Sequence, residues 1–193
     1  MGSPTEASAA SAPRAVVVAS TVFCFLFAAF FTMQNFLTSV LGGDGFAALA
    51  LLYGSFALGT NMAPAVVQRM GMRAAMGAAS LTYCSMNVAV ALAAAERTDA
   101  EGNIDSEGGS AGGWRVSLVY LTASLCGLGA AVLWTAQGAY VAQAAQDAQK
   151  SVDVAQGTFF AVFSLNGLVG FGLALLRIAT RDAIVGADAE IAA

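Results

Sequence analysis

Five long apolar runs, each almost free of ionisable residues in its interior, limit what this chain can become. They cover residues 15–37, 46–66, 74–95, 114–140 and 154–176. A helix of ~20 apolar residues crosses the ~30 Å hydrocarbon layer, whereas a barrel strand needs only ~9–11. In lipid every backbone polar group must find its partner within the protein, and a helix does so alone. The expected fold is all-α: a polytopic membrane bundle of about five transmembrane helices within residues 15–178.

Composition agrees with lipid as the solvent. Of 193 residues, 58% are hydrophobic and 10% charged, against about 25% charged in a soluble domain. So few ions cannot cover a water-facing surface. The net charge of −4 with eight basic residues argues against nucleic acid, which needs a basic stripe. Histidine is absent, which removes the commonest metal ligand and acid–base group. Cys24, Cys84 and Cys126 all lie in apolar runs without zinc-site spacing and read as packing residues. No enzyme, cofactor or metal site is expected.

Between the runs the chain is polar. Residues 1–14 are Ser/Ala/Pro-rich and read as a disordered tail. The first run is long for a signal peptide, and Met33-Gln34-Asn35-Phe36 offers no small-residue cleavage site, so the run reads as a retained span. Gly42-Gly43-Asp44-Gly45 reads as a tight turn, and Pro64 is expected to stop the second helix. Residues 96–113 are acidic and glycine-rich, a solvated loop. Asn103, Asp105, Glu107 and Gly108 echo a calcium loop, but Trp114 stands where its closing glutamate belongs. Trp114 suits a lipid–water boundary. Residues 179–193 read as a loose tail.

Polar and small residues inside the spans carry the remaining information. Ser80, Tyr83 and Asn87 share one helical face, and Gln137 lies three residues before Tyr140. Gln34, Asn35, Asn61, Asn87, Gln137 and Asn166 are candidates for a polar cavity lining, with interhelical hydrogen bonding as the plainer reading. Ser55, Gly59 and Ala63 repeat every four residues, as do Gly127, Ala131 and Thr135, and Gly167, Gly170 and Gly172 follow. Such small residues let helix backbones approach closely.

The block Gly127-Leu128-Gly129-Ala130-Ala131-Val132-Leu133-Trp134-Thr135-Ala136-Gln137-Gly138-Ala139-Tyr140 resembles the fourth helix of the Unc ninety-three-like branch of the major facilitator superfamily. Met33-Gln34-Asn35, Leu52-Tyr53-Gly54-Ser55-Phe56-Ala57-Leu58 with Ala63-Pro64, and Gly157-Thr158-Phe159-Phe160 with Phe163 and Asn166 extend the resemblance over about residues 30–172. Gly54, Gly59, Pro64, Gly127, Gly129, Trp134, Thr135 and Gly138 are its motif and packing positions. The resemblance implies two six-helix halves of inverted three-helix repeats and a cytosolic amino terminus. The connector with Gly59, Pro64, Gly71 and Arg73 looks like a reduced form of the superfamily's cytoplasmic loop, without its acidic residue. With about five spans in place of about twelve, the chain looks like the amino-terminal part of such a fold.

Charge does not settle orientation. Arg14, Arg69, Arg73 and Lys150 fall on one side, and Arg97, Arg115, Arg177 and Arg181 on the other, a tie under the positive-inside rule. A multi-pass protein of the plasma membrane or an endomembrane is expected. Two functions follow from the resemblance. One is an accessory or trafficking partner of a channel or receptor, in contact with the bilayer, that partner or further carboxy-terminal helices. The other is a facilitative carrier of a small solute. The purified chain is expected to require detergent, and sedimentation as a monomer in plain buffer would overturn the membrane assignment.

Overall fold

A computed structural model describes residues 6–95 and 113–191, with side chains over 14–95 and 113–180. Every element among these residues is helical: α1 (Glu6–Leu41), α2 (Gly43–Gly59), α3 (Ala63–Met70), α4 (Met72–Ala95), α5 (Gly113–Asp147), α6 (Val152–Phe163) and α7 (Asn166–Ile191). The calcium-like pattern and nearly all of the acidic loop lie outside the described residues. Four stretches are long and apolar enough to cross a bilayer: Arg14–Leu41, Met72–Ala95, Gly113–Asp147 and Val152–Thr180. The pair α2 and α3, bent by 70°, makes a fifth where the two count as one broken span.

The expected disruption near Pro64 falls upstream of the proline, where α2 ends at Gly59. Pro64 sits in the first turn of α3, where its missing N–H costs nothing. In a continuous helix its ring would strike the Thr60 carbonyl, four residues back. The chain therefore breaks ahead of the proline. The Thr60 N–H donates to the Phe56 carbonyl at 3.1 Å and the Met62 N–H to the Gly59 carbonyl at 3.0 Å. Seventeen residues at ~1.5 Å each carry α2 roughly 25 Å, so α3 begins close to the far boundary.

Other boundaries also move. The expected four-residue turn contracts to Gly42, whose φ of 57° needs glycine, and α2 starts at once with Gly43. The helix expected over 154–176 is interrupted at Ser164 and Leu165. There the Ser164 N–H donates to the Phe160 carbonyl at 2.9 Å and the Leu165 N–H to the Val162 carbonyl at 3.2 Å, a tightened last turn that ends α6. The backbone is helical from Glu6 and through to Ile191, inside both segments expected to be loose. Alanine-rich sequence, the strongest helix former, accounts for this extension.

α5 lies at the centre and packs against α1, α2, α3, α4 and α6, while α7 packs chiefly against α1. The close approach is made at small residues. A methyl group on Gly127 would collide with the Leu52 carbonyl and Ser55 hydroxyl of α2 and lie 2.9 Å from the Phe56 nitrogen. One on Gly59 would lie 3.1 Å from Ala131 and 3.2 Å from Leu128. On the other side of α5, Gly129 admits the Thr82 hydroxyl of α4. The two four-residue repeats seen in the sequence are thus the two halves of one seam.

Above this seam sits a cluster of aromatic rings. Phe27 of α1 contacts Phe23, Phe30, Phe31, Tyr83, Trp134 and Phe163. Its centroid lies 5.3 Å from Trp134 and 5.2 Å from Phe163. One ring therefore ties α1 to α4, α5 and α6. Edge-to-face pairs of this kind contribute about 0.5–1.5 kcal/mol each beyond the area they bury.

Gly127→Ala is expected to destabilise the bundle by about 1–3 kcal/mol, the usual cost of overpacking. Gly138→Ala, with nothing within 4 Å of the added methyl, is expected to leave stability unchanged. Unfolding followed in detergent micelles checks both.

Candidate functional site

The helices alternate in direction, which defines two ends. Ala15, the residues 70–74 and Asp147 border one cavity at the Arg14 end. At the other end Tyr120 of α5 donates to Asp44 of α2 at 2.8 Å, and Arg115 donates to the Leu92 carbonyl of α4 at 2.7 Å. The Arg115 guanidinium also lies 5.1 Å from the ring centroid of the exposed Trp114.

The six candidate lining residues do not converge. Gln34 donates to the Tyr53 hydroxyl across the α1–α2 hairpin. Gln137 is buried and donates from Nε2 to Oε1 of Gln156 at 3.2 Å, joining α5 to α6. Asn166, also buried, donates to the Phe163 carbonyl at 2.5 Å, where it secures the α6–α7 break. Asn35 and Asn61 are exposed, and Asn87 is half-buried. Gln34 lies near the Asp44 end of α1, and Gln137 roughly 15 Å from the Asp147 end of α5 at ~1.5 Å per residue. The polar groups thus act in separate local pairs.

Among the cavities bordered by the described residues, three have defined linings. The one at the Arg14 end has a volume of about 600 Å³. A smaller one of about 230 Å³ lies between α1, α5 and α6, bordered by Val16, Ala145, Lys150 and Thr158. An apolar groove of about 460 Å³ runs between α1 and α7 past Phe25, Thr32, Gly170 and Leu173. None of the six candidates borders any of the three.

Of the packing positions, Gly59, Gly127 and Gly129 make the close contacts described above, and Trp134 lies within the aromatic cluster. Thr135 donates to the Ala131 carbonyl of its own helix at 2.8 Å. Gly54 and Gly138 have open space beside them, and Pro64 starts α3. Gln156 and Tyr53, the partners of Gln137 and Gln34, were not singled out from the sequence. The signal was available. In an antiparallel helix hairpin, residues on opposite sides of the turn meet across it, and each pair straddles its turn in this way, nineteen residues apart.

The arrangement is one of helices held by packing, with short polar ties between neighbours. A family model for the ion channel regulatory protein UNC-93 matches residues 115–189. Those residues are similar to that family. The match takes in nearly all of α5, all of α6 and most of α7. It includes the block 127–140 and the residues Gly157 to Asn166 on which the resemblance rested, and extends beyond residue 172. The pieces in α1 and α2 lie outside it. No solved structure matches the chain. With its membrane-length helices, the chain is a multi-pass membrane protein.

The amide pair within the matched residues gives a direct test. Gln137→Leu or Gln156→Leu alone leaves an unpaired amide between α5 and α6. Either is expected to cost about 0.6–1.7 kcal/mol, whereas the double substitution recovers most of the loss. A double-mutant cycle on unfolding in bicelles measures this, and strict additivity would sink the pairing.

Proposed function

We propose that this chain is a non-enzymatic accessory protein of the membrane that regulates a channel through contacts between helices. The observation that carries this reading is the match of α5–α7 to the ion channel regulatory protein UNC-93. The distribution of burial supports it. Half of the apolar window of α5 is buried within the chain, against 17% for Val152–Thr180. One part of the matched segment therefore anchors the bundle while the rest remains available at the lipid-facing surface.

The polar residues also favour regulation over solute passage. Gln137 and Asn166, the two buried amides of the segment, are engaged by Gln156 and by the backbone of Phe163. A conduit for a hydrophilic solute needs polar groups that face a shared space, and these face their neighbours. The basic residues Arg14, Arg69, Arg73 and Lys150 gather at one end. We assign that end to the cytosol, together with the amino terminus, because the arginines of the short connector 68–73 have no acidic neighbour in it and the resemblance implies the same orientation.

Leu168, Phe171 and Leu175 lie on one exposed face of α7, at the spacing of a helical stripe. Co-expression of the full chain with potassium channels in oocytes is expected to change current density at constant surface channel. Replacing all three by alanine is expected to diminish that change without reducing the amount of the chain at the surface. Currents unaltered across the channels tested, with the chain present at the surface, would count against the proposal.

A further inference from the structure

The largest of the three cavities, about 600 Å³, is enclosed by the start of α1, the α3–α4 connector and the last turns of α5. Its volume falls in the ~300–1,000 Å³ range of small-molecule sites. Arg73, Tyr140, Gln143 and Asp147 give it polar walls, and Met70 and Met72 an apolar one. Arg73 and Asp147 are opposite charges on different helices, both exposed and both bordering this space. Neither has a salt-bridge partner within 4.0 Å among the described residues.

Its depth suggests the ligand. α4 opens at Met72 and α5 closes at Asp147, so the cavity lies where spanning helices end and phospholipid headgroups begin. A bare anion would meet the Asp147 carboxylate, and a bare cation the Arg73 guanidinium. A molecule carrying both charges satisfies both walls. Guanidinium groups bind phosphate by charge-assisted hydrogen bonds, and a primary ammonium donates to a carboxylate in the same way. Tyr140 and Gln143 can donate to the remaining phosphate oxygens.

We propose that this cavity seats the headgroup of an ethanolamine phospholipid, its phosphate on Arg73 and its ammonium on Asp147, with Met70 and Met72 beside the glycerol end. The shared chemistry is a phosphate ester with a nearby primary ammonium, and the bilayer supplies it at high local concentration. This goes beyond the regulatory reading and does not depend on it.

Native mass spectrometry of the full chain, extracted from vesicles containing equal amounts of phosphatidylethanolamine and phosphatidylglycerol, tests the proposal. The wild-type chain is expected to retain the ethanolamine lipid about two- to fivefold over the glycerol lipid, the range that one exposed charge contact can supply. Asp147→Asn is expected to abolish or reverse that preference, and Arg73→Gln to lower retention of both lipids. Lys150→Gln, at the same end but outside this cavity, is expected to keep the wild-type preference. Equal retention by the wild type, an unchanged preference in Asp147→Asn, or loss of preference in Lys150→Gln would overturn the site. Displacement of the bound lipid by soluble glycerophosphoethanolamine at millimolar concentration would overturn the membrane as its source. Unfolding midpoints in detergent, equal among the variants, exclude misfolding as the cause of any loss.

Discussion

The contact of the α5 backbone with α2 at Gly127 is the constraint on which the rest of the bundle depends. Lipid tails are as apolar as leucine, so burying a side chain between two helices gains little that lipid contact did not already provide. What holds the helices together is contact density, which rises when two backbones come close. Gly127 and Gly59 allow this toward α2, and Gly129 toward α4. With α5 fixed between those two helices, Trp134 is brought beside Phe23, Phe27 and Phe163, and α1 and α6 are drawn in by their rings.

Polar groups play a subordinate part in this assembly, and their placement follows from the same solvent. An amide in hydrocarbon must be paired, and the nearest partner is the neighbouring helix of the same hairpin. Gln34 with Tyr53, and Gln137 with Gln156, follow that rule. Hydroxyls find partners still closer. Thr32, Ser80 and Thr135 each donate to a carbonyl four residues back in their own helix. Such groups are satisfied before any interhelical cavity could use them.

This explains which features could be read from the sequence. Apolar runs identify crossings because the cost of burying a charge in lipid is large, and the observed spans lie where those runs lie. The four-residue repeats pointed to the α2–α5 seam, since only small residues permit close approach. The α2–α3 bend was only half legible. Pro64 signalled a disruption, but the position of the break depends on which carbonyl its ring would strike, and that lies upstream. The break at Ser164 has no proline or glycine at the two interrupted residues to signal it. The six carboxamides expected to share one lining lie apart in the structure for a different reason. Helical periodicity gives the face of each residue but not its depth, and depth separates Gln34 from Gln137.

The UNC-93 match gains meaning from this architecture. It begins two residues into α5, the most enclosed helix, and runs through α6 into α7, the part with the least burial. A segment required only for folding would be concentrated where burial is greatest. One acting only as a surface would avoid the seam at Gly127 and Gly129. The matched residues span both, from the contacts that fix α5 to the exposed Leu168 and Leu175 of α7. Because α7 is held chiefly through α1, and α1 meets α5 and α6 through the Phe27 rings, displacement of α7 by a neighbouring protein would be transmitted through that aromatic cluster. The central seam, backed by glycine on both sides of α5, would remain in place.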